Sequence, residues 1–111
     1  MKTYKQFHGD IPIKDIGKEL RKVAKTETQF KILTGYGSSS GISKSKSAAL
    51  TSLKNMKKEG LIRGYFPAEI GTKILKPQDA FYDVKLEYEK LVKFDSDYKA
   101  GNDGIIFVFV K

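Results

Sequence analysis

Residues 30–41 read Phe30-Lys31-Ile32-Leu33-Thr34-Gly35-Tyr36-Gly37-Ser38-Ser39-Ser40-Gly41, so that an apolar run passes directly into a loop rich in glycine and serine. The apolar run predicts a strand, and the residues after the loop have the spacing of a helix. Glycines let a backbone approach a ligand closely, and the N–H groups and dipole at the start of a helix favour an anion. The stretch therefore predicts a strand–loop–helix unit with a phosphate-binding loop.

Length and composition limit the kind of protein this is. With 111 residues, 40% of them hydrophobic, the chain is long enough for one domain with a core and too short for two. The absence of Cys and the single His exclude disulfide frameworks, thiolate metal sites and multi-histidine clusters, so a divalent ion would need carboxylates. No apolar run is long enough to span a membrane or serve as a signal peptide. We expect a cytoplasmic protein that does not bind membranes, and a monomer by default.

Positive charge is concentrated in the first part of the chain. The formal net charge is +8, and residues 1–63 contain 14 Lys and Arg against 5 Asp and Glu, whereas residues 64–111 contain 7 against 8. The basic part includes the glycine loop. Such an imbalance attracts polyanions, because each phosphate that is neutralised releases counterions. The pattern favours a nucleic-acid partner over the alternative of a lysine-rich solvated surface.

Strand and helix patterns alternate along the chain. Strands are predicted at 4–8, 29–33, 61–68 and 105–110, and helices from about 13, from 43 or 45 to 59, and at 77–94. The first helix has an apolar stripe at Ile13, Ile16, Leu20 and Val23, after a turn in which Asp10 is a candidate cap. Residues 77–94 fit both periodicities, and acidic residues near their start favour the helix. The last strand is continuously apolar and is predicted to be central or buried on both faces.

This order predicts an α/β fold. We expect a two-layer sandwich in the order βαβα-ββ, with a four-stranded mixed sheet and an insertion, predicted helical, before the last strand. The chain is then a single domain over residues 1–111, with the insertion at about 69–99. Right-handed crossovers make at least two neighbouring strands parallel, and ligands gather at the carboxyl ends of such strands. His8-Gly9 is therefore expected beside Thr34-Gly35-Tyr36-Gly37.

Four short motifs, in this order and spacing, resemble the Smr (small MutS-related) domain family. They are Phe7-His8-Gly9, Thr34-Gly35-Tyr36-Gly37, Gly41-Ile42-Ser43-Lys44, and Gly101-Asn102-Asp103-Gly104 before the apolar last strand. In that family a Leu-Asp-any-His motif followed by glycine ends the first strand, and a His-Gly-any-Gly or Thr-Gly-any-Gly loop ends the second. The resemblance implies a fold like the C-terminal domain of the bacterial initiation factor that binds the small ribosomal subunit. It also implies binding of DNA or RNA, and several members are endonucleases, including ones that cleave messenger RNA at stalled ribosomes.

The chain departs from the family pattern at three positions. Gln6 stands in place of the aspartate, Lys5 in place of the leucine before it, and Lys44 in place of the arginine. A carboxylate would orient His8 or act as a base, whereas an amide only forms hydrogen bonds. Binding is therefore expected to survive these changes more easily than cleavage.

The candidate site combines the two loops. His8 is the candidate catalytic residue, since imidazole suits proton transfer near neutral pH, and the alternative is that it only caps a strand end. Tyr36 is a candidate for stacking on a base. The predicted nucleic-acid-binding residues are Gly9, Thr34, Gly35, Tyr36, Gly37, Ser38, Ser39, Ser40, Gly41, Lys44 and Lys46. No cofactor or metal ligand is assigned, and a divalent ion is the open alternative. Asp95, Asp97 and Asp103 are expected in a solvated turn.

The functional prediction is a nucleic-acid-binding Smr-like domain, with RNA or DNA endonuclease activity as a separate hypothesis. The alternative is a non-catalytic module that docks on a ribosome or another protein through Phe81, Tyr88 and the acidic residues Asp83, Glu87 and Glu89. A small-molecule nucleotide enzyme is third. The glycine spacing fails the Walker pattern and departs from the dinucleotide fingerprint.

Overall fold

Strands and helices alternate along the two segments that the computed structural model describes, residues 1–35 and 43–111. The elements are β1 (Lys2–Tyr4), α1 (Ile16–Thr26), β2 (Gln29–Leu33), α2 (Lys44–Lys58), β3 (Gly64–Pro67), α3 (Tyr82–Val92), α4 (Ser96–Ala100) and β4 (Ile105–Phe109). Short 3₁₀ helices occur at Lys5–Phe7, Ile13–Asp15 and Ala68–Thr72. Within these segments no helix combines the length and apolar character needed to cross a bilayer.

The strands form one mixed sheet in the order β1-β2-β4-β3. β1 pairs with β2 in parallel, and β4 is antiparallel to both of its neighbours, so that Phe107 lies between Lys31 of β2 and Phe66 of β3. All five residues of β4 are buried, as its continuous apolar sequence predicted. The predicted α/β class and four-stranded mixed sheet are confirmed.

Helices α1 and α2 cover one face of the sheet. Their buried side chains meet alternate residues of the central strands, because successive side chains of a strand point to opposite faces. The fully buried members of this first core include Phe30 and Ile32 of β2 and Ile106 and Val108 of β4. The helices contribute Ile16, Leu20, Val23, Ala49, Leu53 and Met56.

The segment between β3 and β4 covers the opposite face. The 3₁₀ helix Ala68–Thr72, α3 and α4 pack on Ile105, Phe107 and Phe109, the other set of β4 side chains. Tyr88 stacks on Phe109 with ring centroids 4.2 Å apart. The helical insertion is therefore confirmed, but it adds a third layer to the two that the sequence predicted. A strand that is apolar on both faces requires this, since either face would otherwise meet water.

The region before α1 differs most from its prediction. β1 ends at Tyr4 instead of extending to His8, because the 3₁₀ helix Lys5–Phe7 turns the chain and buries Phe7 completely. α1 begins at Ile16, and no side chain caps it, so Asp10 is not its cap. The predicted stripe is buried at its last three positions, whereas Ile13 is 48% exposed.

The ends of α2 follow standard capping chemistry. The Ser43 side chain accepts a hydrogen bond from the Lys46 N–H at 3.1 Å, which makes Ser43 the N-cap. Gly60 follows the C-cap with φ of 79°, and the N–H groups of Gly60 and Leu61 donate to the carbonyls of Lys57 and Met56. This is a Schellman motif, which requires a left-handed residue after the helix.

The later elements are shorter than predicted. The third strand contains only Gly64–Pro67, and α3 spans Tyr82–Val92 instead of 77–94, with Val92 buried and Leu91 half exposed. α4 was not predicted. Its N-cap is Asp95, whose side chain accepts from the Asp97 N–H at 2.8 Å, so this segment is helical and partly buried and is not a solvated turn.

Candidate functional site

The two predicted loops leave the sheet at the same edge. β1 and β2 are parallel neighbours, with Tyr4 opposite Ile32, so their carboxyl ends lie together as expected. His8 follows β1 after the intervening 3₁₀ helix and is exposed. Gly9 is also exposed and has φ of 103°, a left-handed conformation that favours glycine.

Thr34 and Gly35 are tied into the fold by hydrogen bonds. The N–H and the hydroxyl of Thr34, which is fully buried, both donate to the Gly104 carbonyl, at 2.6 and 2.9 Å. The Gly35 N–H donates to Ser45 Oγ at 2.8 Å, and Ser43 Oγ donates to the Gly35 carbonyl at 2.7 Å. These groups hold β2 against the start of α2. The Gly35 N–H is therefore occupied within the protein and does not face a phosphate.

Gly35 is needed for this close approach. A Cβ at this position would lie 3.0 Å from both Cβ and Oγ of Ser43 and 3.1 Å from Oγ of Ser45. Such contacts are tighter than ordinary van der Waals distances, and the helix start would have to shift to accept them. The glycine at the end of β2 is thus required by the packing of the fold, independently of any ligand.

Lys46 has a structural role that its sequence position concealed. The residue is 3% exposed, and its ammonium donates to Glu69 Oε1 at 2.7 Å. Glu69 belongs to the 3₁₀ helix Ala68–Thr72, and its other oxygen lies 3.7 Å from Lys73 Nζ. The pair joins α2 to the connection after β3. Lys46 is therefore not available to a ligand, whereas Lys44 is exposed.

The predicted set divides into three groups. His8, Gly9 and Lys44 lie on the surface near the carboxyl edge of the parallel pair, and Thr34, Gly35 and Lys46 hold the fold together. The predicted residues Tyr36, Gly37, Ser38, Ser39, Ser40 and Gly41 fall outside the described residues.

The two helical layers differ strongly in charge. α1 and α2, which we call the basic layer, contain nine Lys and Arg and one acidic residue, Glu19. α3 and α4 on the opposite face contain three Lys and four Asp and Glu. The charge division seen along the sequence is thus a division between the two faces of the sheet.

Most cations of the basic layer face solvent without a carboxylate partner. Arg21 pairs with Glu59 at 2.9 Å and Lys22 with Glu19 at 3.4 Å. Within residues 1–35 and 43–111, no ion pair is formed by the exposed side chains of Lys14, Lys18, Lys25, Lys44, Lys54, Lys57 and Lys58. The first three lie on one stripe of α1 and the turn before it, opposite the buried stripe. An elongated positive surface results.

A buried charge cluster on the opposite face was missed from the sequence. Lys31 Nζ donates to Asp95 at 2.8 Å and to Asp97 at 2.9 Å, which joins β2 to α4. Burial disfavours the ammonium, but the two hydrogen bonds outweigh it and raise the pKa of Lys31 above its ordinary value. A lysine in the middle of an apolar strand was the signal, since a buried lysine needs a carboxylate.

The described segments contain no group of three His, Cys, Asp or Glu side chains placed to hold a metal ion. Comparison with protein-family models, with curated proteins and with solved structures finds no match to the chain. The candidate site is therefore defined by its own geometry: an exposed histidine and glycine at a sheet edge, beside a helical layer in which most of the exposed lysines form no ion pair with the described residues.

Proposed function

We propose that this chain is an Smr-like domain that binds RNA or DNA through its basic layer. The observation that supports this most directly is the difference in charge between the two faces of the sheet. Exposed lysines without carboxylate partners can neutralise the phosphates of a nucleic acid, and each neutralised phosphate releases condensed counterions. A lysine-rich surface that served only solubility would not need its positive charge on one face.

The sheet edge with His8 and Gly9 adjoins this surface. α2 begins at Lys44, and the hydrogen bonds between Gly35 and Ser43 hold that beginning beside the end of β2. A nucleic-acid strand that lies along α1 would therefore reach Lys44 and the sheet edge that carries His8. Contacts of this kind are to phosphates, which position a nucleic acid without reading its sequence. We expect binding that depends strongly on salt and weakly on sequence.

Removing three charges from the basic layer, and one from the 3₁₀ helix Ile13–Asp15 that precedes it, should weaken nucleic-acid binding. The variant carries Lys14→Gln, Lys18→Gln, Lys25→Gln and Lys44→Gln. We expect an affinity for a 20-nucleotide single strand lower by about 100-fold near 0.1 M salt, and a slope of log K against log salt smaller by about 3, because each lost phosphate contact reduces that slope by about 0.7 to 0.9. Fluorescence anisotropy over a salt series measures both quantities.

The matched control removes the same charge from the other face, with Lys76→Gln, Lys90→Gln, Lys93→Gln and Lys99→Gln. Its affinity should stay within about threefold of the wild type, since long-range charge effects are screened over about 10 Å at this salt concentration. If the two variants lose affinity equally, net charge alone drives binding and the basic layer is not the site.

Cleavage of the bound strand is a separable part of the proposal, with His8 as its candidate catalytic residue. His8→Ala should abolish cleavage of RNA or DNA while leaving binding and the thermal unfolding midpoint nearly unchanged, because the residue is exposed. Gel analysis of strands incubated with both proteins, with and without Mg²⁺, measures the effect. A His8→Ala variant that cleaves as fast as the wild type would remove this residue from the mechanism.

Protein docking is the alternative function, and one observation favours it. Leu86, Leu91 and Phe94 are 67%, 50% and 78% exposed on or just after α3. Tyr88, predicted for this role, is instead buried against Phe109. Deleting the insertion would uncover the second core, so the test must use point variants. Docking would be favoured by two results together. The wild type would bind a protein partner and no nucleic acid, and the double variant Leu86→Ser, Phe94→Ser would lose that partner.

A further inference from the structure

A cleft opens at the far end of α2 from His8. It lies where the last turns of α2, the edge strand β3 and the segment before α3 meet, and its volume is about 410 Å³. Its walls are Lys54, Lys57, Lys58, Tyr65, Ala80, Phe81 and Val84. None of these side chains belongs to the sheet edge that carries His8 and Gly9.

Three lysines form one wall of the cleft. Lys54, Lys57 and Lys58 are spaced at i, i+3 and i+4, so they project from the same side of α2. All three are exposed, and none pairs with a carboxylate within the part of the chain that the structure describes. The wall therefore carries three positive charges toward one small volume. An anion with more than one negative oxygen would match it.

Two aromatic rings form the floor. Tyr65 of β3 packs against the first core, and Phe81 packs against the second, so the pair meets around the edge of the sheet. Their ring centroids are 5.7 Å apart at an angle of 77°. Both rings are partly exposed. Burial raises the pKa of Tyr65 above its ordinary value.

We infer that this cleft binds a nucleotide unit, with the base against Tyr65 and Phe81 and the phosphate on the lysine wall. Aromatic rings stack on any nucleobase, and ammonium groups attract its phosphates. An inorganic anion, or a peptide of Asp and Glu alone, would use the lysines and leave the rings of the floor without a stacking partner. The volume lies within the range of about 300 to 1,000 Å³ usual for small-molecule sites. The inference rests on the proposed function only for the source of the nucleotide, which is either a free mononucleotide or one unit of a bound strand.

Titration of the ¹⁵N-labelled full chain tests the site. The probes are adenosine 5′-monophosphate, ribose 5-phosphate and an eight-nucleotide oligoadenylate. We expect adenosine 5′-monophosphate to shift the amide resonances of Tyr65 and Phe81 and to bind at least about tenfold more tightly than ribose 5-phosphate, because only the former has a base to stack. If the oligoadenylate shifts these resonances and the mononucleotide does not, the nucleotide in the cleft is one unit of a bound strand.

Two variants assign the contacts. Lys54→Gln with Lys57→Gln and Lys58→Gln should weaken binding of the nucleotide by about tenfold or more, whereas Lys90→Gln with Lys93→Gln and Lys99→Gln, the charge-matched control, should not. Phe81→Leu keeps an apolar side chain and removes the ring, and it should lower affinity by about tenfold while leaving binding of ribose 5-phosphate unchanged.

Several outcomes overturn the inference. They are equal affinities for adenosine 5′-monophosphate and ribose 5-phosphate, or unchanged nucleotide affinity in Phe81→Leu. Oligonucleotide binding that needs the α1 lysines but not the cleft, together with no binding of the mononucleotide in the cleft, overturns only this inference. Mononucleotide binding in the cleft without any strand binding supports it and contradicts the proposed function.

Discussion

Lys31→Met is expected to lower the free energy of unfolding by about 3 kcal/mol, because removal of one partner leaves buried charges without compensation. The Lys31 side chain is 10% exposed, and those of Asp95 and Asp97 are 18% and 26% exposed. Without the ammonium, the two carboxylates would face each other beside Phe107. α4 would also lose its ion pairs with β2, and urea unfolding at pH 7 measures the loss.

The advantage of the wild type over Lys31→Met should depend on pH in a defined way. Burial would raise the pKa of Asp95, but the hydrogen bonds from Lys31 and from the Asp97 N–H outweigh it and hold the pKa below its ordinary value of 3.8. Because the pKa of this carboxylate is lowered by folding, the carboxylate stabilises the fold at pH values above 3.8. This contribution to stability is lost as pH falls through the lower pKa of the folded protein. The raised pKa of Lys31 acts oppositely, so its contribution is complete below 10.5 and is lost as pH rises further. We expect a plateau between about pH 5 and 10 that declines at both ends.

A second variant distinguishes lost charge pairing from lost packing. Lys31→Met with Asp95→Asn and Asp97→Asn removes the uncompensated carboxylates, and asparagine still caps α4. We expect it to recover at least about 1 kcal/mol relative to Lys31→Met alone. If Lys31→Met is within about 0.5 kcal/mol of the wild type at pH 7, which is the range of an ordinary surface substitution, the cluster does not stabilise the fold.

Gly71→Ala is expected to destabilise the protein by about 3 kcal/mol or more, which is the upper range for overpacking. A Cβ on Gly71 would lie 2.2 Å from the backbone oxygen of Tyr98 and 3.0 Å from its ring. The obstacle is backbone, so no side-chain rotation relieves it. α4 would have to move away from the 3₁₀ helix Ala68–Thr72, and Tyr98 would lose its contacts with Phe66 and Phe107.

Gly17→Ala is the matched control for this substitution. The new Cβ would lie 2.9 Å from Ser52 Oγ, a side-chain atom that can rotate, and alanine favours a helix interior over glycine by about 1 kcal/mol. Its stability should stay within about 1 kcal/mol of the wild type. Thermal unfolding of both variants makes the comparison, and a Gly71→Ala protein as stable as Gly17→Ala would show that α4 does not pack there as described.

Local patterns were sufficient for much of the fold. β2 and β4 are apolar runs of strand-forming residues, and their bounds are nearly those predicted. α2 has Ser43 before it and Gly60 after it, which are chemical signals that act within a few residues. The shared sheet edge of His8 and Gly35 also follows from local order, since a strand–helix–strand unit with a right-handed crossover has parallel strands.

The roles of individual site residues were not accessible in this way. Lys44 and Lys46 are two positions apart in one serine- and lysine-rich run, yet Lys44 faces solvent and Lys46 is bonded to Glu69. Their difference arises because residues two apart point to different sides of a helix, and only one side meets the 3₁₀ helix Ala68–Thr72. The Gly35 N–H likewise has a partner, Ser45, whose position depends on how α2 packs.

The sequence by itself determined the α/β class, the central apolar strand, the capped second helix and the surplus of positive charge, because each depends on neighbouring residues or on composition. Only the tertiary structure decided that the insertion covers the second face of the sheet, that Lys31 and Lys46 are buried in ion pairs, and that the exposed lysines of α1 and α2 share the first face. Those outcomes depend on contacts between residues distant in the chain, such as Lys31 with Asp95 and Lys46 with Glu69. A lysine has the same charge in every case, and its burial and its partner determine whether it stabilises the fold or faces a ligand.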